Sequence, residues 1–339
     1  MRKGEEPDWS RSVFLISMAA AVFGALYLVN DTFIMHKVIR SDDPFTAVSA
    51  YLILGGWIGT VCTLFYNAVL GKWLDKDYPG FNLGTGKMQG FALVSGAIAA
   101  GSTAFCLMGN QSLDPSLVTA LANLSLLYLV FYDWVRGSIS IKRIWLPALL
   151  VIAGSVLASV TRLTGGFEIT LAGILILLVG RCGTDALEKV VRQRGVWKSD
   201  PVTFNFWRFL WLTVSGTIIA VVVASVRGTF GKLMALLASC WRPALPWILL
   251  TMFLVFFFST LLQKAMKTGA LSKVSMVLNL QIVLGIPLTL AVHSLWPGVF
   301  GELPSDFYVW VVRLLGVVMI ILGIIPLAQE REGLKKKTA

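Results

Sequence analysis

Nine side chains in this 339-residue chain are of types and spacings that could handle a polar solute. Arg181, Asp185 and Glu188 stand at i, i+4 and i+7, which puts them along one face of a helix. Arg208 sits in Phe206-Trp207-Arg208-Phe209. An Arg beside Tyr or Trp can hold a carboxylate or phosphate, because its planar fork matches two oxygens at once. Asn279 and Gln281 interrupt the apolar run Gly269 to Leu290, and Asn123 interrupts Asp114 to Leu127. Tyr51 and Trp57 fall in another apolar run and could add an aromatic wall. Asp185 and Glu188 could carry a proton or latch a gate; Arg181 and Asp185 could also simply neutralise each other. No catalytic set accompanies them. There is no His–Glu zinc spacing, no G-x-S-x-G and no phosphate-binding glycine loop, and His36 and His293 are the only histidines. The reading is of a protein that is not an enzyme and uses no cofactor or metal.

The surrounding sequence is apolar. Hydrophobic residues make up 56% and charged residues 14%, against about 25% charged in soluble domains. That composition implies an all-α integral membrane protein. Ten spans are expected: 12–29, 44–70, 89–108, 115–132, 144–160, 169–188, 202–226, 245–263, 270–293 and 307–327. Gly231 to Trp241 reads as a short helix at the interface. The basic N-terminal stretch leads into the first span rather than into a cleavage site. The formal charge of +11 lies mostly in short loops. Lys72, Lys76, Lys87, Arg136, Lys142, Arg143, Lys189, Arg192, Arg194 and Lys198 would all share one side, which places both termini in the cytoplasm. Basic residues so distributed set topology and give no reason to expect nucleic acid. Cys62, Cys106, Cys182 and Cys240 have neither metal nor disulfide spacing. Asn30-Asp31-Thr32 and Asn110-Gln111-Ser112 fit the glycosylation pattern, which is common by chance.

The chain also repeats itself. Aligning Asn123 with Asn279 pairs Val118 with Val274, Leu121 with Val277 and Leu124 with Leu280. Asp43-Pro44-Phe45-Thr46 matches Asp200-Pro201-Val202-Thr203, Ser102-Thr103 matches Ser259-Thr260, and Ala153-Gly154 matches Leu322-Gly323. Five spans per half is an odd number, so the second half (166–339) would enter the membrane inverted relative to the first (1–165), a plan used by secondary transporters. At about 1.5 Å per helical residue, Asn123 and Asn279 each reach about 12–14 Å into a core about 30 Å thick. They do so from opposite sides. Arg181 would lie just past the midplane, with Glu188 close to the cytoplasmic surface. Gly55 with Gly59, and Ala97 with Gly101, are spaced for close helix packing. Pro287 could bend the ninth span.

Two five-span halves with cytoplasmic termini resemble the drug/metabolite transporter superfamily, in particular its EamA-like members. Arg136 to Arg143 resembles the basic turn after the fourth helix of a half, Ile152-Ala153-Gly154 the small-residue closing helix, and Arg208-Phe209 the Arg-Phe early in a second helix. Tyr51-Leu52 departs from that pattern in the first half. The resemblance implies alternating access through a central cavity lined by spans one to four and six to nine, with spans five and ten peripheral. The expected cargo is a small polar metabolite, zwitterionic or anionic because arginines outnumber deep acids, with protons as a candidate coupling ion. A monomer or homodimer in the cell membrane is expected. The alternatives are a lipid or lipid-linked sugar flippase on the same fold and, further off, a membrane enzyme acting on a lipid-linked substrate.

Overall fold

The computed structural model describes residues 9–76, 78–112, 124–158, 160, 176–296 and 306–335, and these are helical with connecting turns and no strand. We number the helices α1 (Arg11–Phe33), α2 (Pro44–Leu74), α3 (Gly86–Ser112), α4 (Ser125–Val135), α5 (Ile141–Ala158), α6 (Thr184–Val196), α7 (Pro201–Val226), α8 (Phe230–Thr268), α9 (Leu271–Leu278), α10 (Leu280–Leu295) and α11 (Phe307–Lys335). A π-helical turn, Ile34–Val38, extends α1, and another, Ile176–Gly183, leads into α6. Among the described residues, seven segments are long and apolar enough to cross a membrane, as a multi-pass membrane protein requires. Large apolar side chains such as Trp73, Val226 and Phe131 stay exposed around the bundle, where a soluble protein would expose only small patches.

Local sequence sets most helix starts. Pro44 and Pro201 occupy the first turns of α2 and α7, where a missing N–H costs nothing. The Asp200 carboxylate accepts from the Thr203 N–H at 2.7 Å, satisfying one of the free donors of α7. Asp43 is held differently, by the Thr46 hydroxyl at 2.7 Å and by Arg227 at 3.2 Å. The start of α9 is capped from another helix. Asp133, at the end of α4, accepts from both the N–H and the hydroxyl of Ser272 at 2.7 Å.

Three expectations change. Gly231 to Trp241 is no separate interfacial helix but the first part of α8, which runs through Pro243 and Pro246, and Cys240 is buried within it. The sixth span does not end at Glu188: α6 continues to Val196, because Gln193 donates to the carbonyls of Met266 and Gly269 and Trp197 donates to that of Lys267. The Asn30 amide is turned inward to Thr251 and the Trp247 carbonyl, so it does not present itself for glycosylation.

Helix α5 packs along α11, and neither contributes to the cavity described below. The crossing is made by glycine. A Cβ on Gly316 would lie 2.4 Å from the Ala158 nitrogen and 2.5 Å from the Gly154 oxygen, and backbone cannot step aside as a side chain can. Gly316→Ala should therefore destabilise the protein by about 1–3 kcal/mol, the usual cost of overpacking. Gly216→Ala, where an added methyl meets nothing within 4 Å, is the control and should not lower the unfolding temperature in detergent. Equal melting of the two variants would contradict the close crossing. Of the expected small-residue pairs, Gly59 packs tightly under Met252 and Phe209, whereas a methyl on Gly101 meets nothing among the described residues.

Candidate functional site

The site begins with a close approach of α3 and α7. A Cβ on Gly96 would lie 2.7 Å from both the Arg208 oxygen and the Leu212 nitrogen, so the two backbones nearly touch. This brings Ser95 of α3 to Arg208 of α7. Arg208 Nε donates to Glu188 Oε1 of α6 at 2.7 Å and to Ser95 Oγ at 3.1 Å, while Ser95 Oγ donates to Glu188 at 2.7 Å. All three are buried. Glu188 is thus a buried partner of Arg208.

The same face of α6 and its π-turn carries the rest of the charge. Arg181 bonds to the Ser102 hydroxyl of α3. Asp185 pairs with Lys189 at 2.8 Å, and the charge of Arg181 acts on it as well. Arg192, one turn beyond Glu188, is 4% exposed and bonds to the Ser259 hydroxyl of α8. Its Nε has no hydrogen-bond partner among the described residues, and neither has the buried Ser275 hydroxyl of α9. Leaving buried donors unmade costs about 1–3 kcal/mol each, so both are natural points for a polar ligand to engage.

The remaining wall comes from the break between α9 and α10. Asn279 sits at that break, with its N–H turned to the Met276 oxygen at 3.1 Å. Its amide donates to the Ser275 carbonyl at 2.9 Å and accepts from Ser155 of α5 at 3.3 Å. Gln281 lies across Gly24 of α1, where a Cβ would come within 2.5 Å of its amide nitrogen. A methyl at this position would push the Gln281 amide aside.

These elements line a partly open cavity of about 370 Å³, within the usual size of a small-molecule site. Arg181, Asp185, Glu188, Arg208, Asn279 and Gln281 all line it. Lys189 and Arg192 line it too; sequence reasoning had assigned them to a topology-setting loop. Continuing the Arg181 stripe by one more turn would have reached Arg192. Tyr51 and Trp57 do not line the cavity. Tyr51 bonds to Asp31 on the far part of α1, and Trp57 is 47% exposed on the outside of the bundle. Asn123 lies outside the described residues.

Fold and site together define an all-helical, multi-pass membrane protein with a buried polar cavity among its helices. The sequence matches no protein-family model and no curated protein. Among solved structures it is similar to one described simply as a crystal structure of a protein, with a TM-score of 0.59 and 17% identity, covering 94% of this chain and 96% of that one. That likeness concerns the fold over nearly its whole length and carries no activity with it.

Proposed function

We propose that the protein is a secondary transporter or exchanger of a small anionic metabolite, working by alternating access through this cavity. One observation carries the reading. Four cations (Arg181, Lys189, Arg192, Arg208) and two carboxylates (Asp185, Glu188) line one cavity, leaving a formal excess of two positive charges. Buried charge is costly unless compensated, and an entering anion supplies the compensation. The amides of Asn279 and Gln281 and the unpaired Ser275 hydroxyl add neutral polar contacts, and the unpaired Nε of Arg192 adds a charged donor. A zwitterion fits if its carboxylate meets the arginines.

In this reading the chain has ten spans in two inverted five-helix halves, with both termini cytoplasmic, in the manner of the drug/metabolite transporters. The backbone lends support: Leu124, just before α4, and Asn279, between α9 and α10, share nearly the same turn, with φ and ψ of −66° and −12° against −63° and −11°. These lie within one residue of positions that the repeat equates. A membrane helix broken beside a polar cavity is tolerated where the cavity or neighbouring helices satisfy the freed groups.

The test is a thermal-unfolding screen of the purified protein against carboxylates, phosphate esters, amino acids and organic cations. A ligand at a hundred times its Kd stabilises by about 2.7 kcal/mol, so anions should raise the unfolding temperature and cations should not. A screen in which cations alone stabilise would refute the substrate class. With a stabilising anion in hand, Asn279→Leu in liposomes should abolish its exchange while leaving the protein folded.

A further inference from the structure

Away from the cavity, α1 carries a second polar centre near its C-terminal end. Asp31 accepts from the Tyr51 hydroxyl of α2 and from the Thr251 hydroxyl of α8, the latter at 3.0 Å. Asn30 completes it by donating to Thr251 Oγ at 2.7 Å and to the Trp247 carbonyl at 3.0 Å. Thr251 is fully buried. Among the described residues Asp31 makes no ion pair, unlike Asp43, Asp185 and Glu188. One centre therefore ties three helices together through a carboxylate held by neutral donors alone.

Of the titratable groups on the elements around this end of α1, Tyr27 lies one turn away on α1 itself, Tyr51 comes from α2, and His36 and Lys37 belong to the π-helical turn. The α8 helix meets the centre through the Thr251 hydroxyl and the Trp247 carbonyl. The α10 helix, whose end meets α1 through Phe33 and Trp296, carries His293. No cation is fixed on the acid by any of these contacts. One proton can thus remove its charge without leaving a counter-ion stranded.

We propose that Asp31 is a proton-binding site of the transport cycle, with the Tyr51–Asp31–Thr251 centre clasping α1, α2 and α8 while ionised and loosening when protonated. Hydrogen bonds to a charged acceptor are about twice as strong as neutral ones, so one proton changes the clasp in the required direction. The link to the cavity is short: Tyr27, which lines it, stands one helical turn from Asp31. This inference rests on the transporter reading, and it moves the proton site expected at Asp185 to an acid that has no cation of its own.

Two measurements on the full chain test it without any transported ligand. Infrared difference spectra between about pH 8 and about pH 5 should contain a carboxylic-acid carbonyl band that disappears in Asp31→Asn and survives in Asp185→Asn. Tyr51→Phe, which keeps the acid and removes one donor, should move that band's frequency. Spin labels on cysteines introduced at the exposed Trp57 of α2 and Leu250 of α8, with the native cysteines replaced, should change their separation on acidification. In Asp31→Asn they should show the acid-side separation at both pH values, and His293→Gln should leave the change intact. A band that persists unmoved in both Asp31→Asn and Tyr51→Phe would overturn the assignment. So would a separation change abolished by His293→Gln instead. A protein that shows these proton signatures but is stabilised by no anion would keep this site and lose the proposed substrate class; one stabilised by anions without the Asp31 band would do the reverse.

Discussion

Glu188→Gln lowers the stability of the protein by about 3–5 kcal/mol, the range seen when one partner of a buried ion pair is removed. The substitution is nearly isosteric, so the effect is electrostatic. It leaves Arg208, 9% exposed and close-packed against α3, without its anion, and takes away the negative charge that Arg192 also feels. Adding Arg208→Gln to Glu188→Gln should recover much of the loss, because replacing both members of a buried pair is often nearly neutral. The non-additivity is the signature of direct coupling. Unfolding in detergent of the two single variants, the double variant and the wild type measures it. Strict additivity would show that Arg208 and Glu188 do not act as a pair.

Arg192→Gln weakens binding of a stabilising anion by about thirtyfold to several thousandfold, corresponding to about 2–5 kcal/mol for a truncated, buried charge contact. It should do so with a smaller loss of stability than Glu188→Gln, since the change removes a like charge from beside Arg208. Arg192→Lys, which restores the charge but not the planar fork, should recover part of the affinity. Titrations followed by thermal shift distinguish these outcomes. Unchanged affinity in Arg192→Gln would remove this residue from the site.

Two of the cavity's cations and the acid of the second polar centre carry no mark of their roles in the sequence. Arg192 and Lys189 looked like topology determinants because loops and helix ends share the same basic composition. What distinguishes them is that α6 runs on to Val196, held there by Gln193 and Trp197 reaching the end of α8. Asp31 lay inside a common tripeptide pattern and drew no notice as an acid. Its meaning comes from Tyr51 and Thr251, which are 20 and 220 residues away in the chain.

By itself the sequence determined what is local and periodic. Long apolar runs make helices, since lipid leaves backbone groups no other partner. Their number of charges excludes a soluble core, and i, i+4, i+7 spacing puts Arg181, Asp185 and Glu188 on one face whatever lies opposite. Asn279 and Gln281 were visible for the same reason, as polar residues in an apolar run. Only the tertiary structure decided what each of them meets. A helix that is apolar all round does not specify its own rotation, so Tyr51 and Trp57 could not be assigned a side until α2 was packed. Asp185 finds Lys189 within its own helix, but Glu188 pairs across helices with Arg208, on a helix that glycine at position 96 allows to come close to α3. That choice is made by distance between helices, which no spacing along one chain encodes.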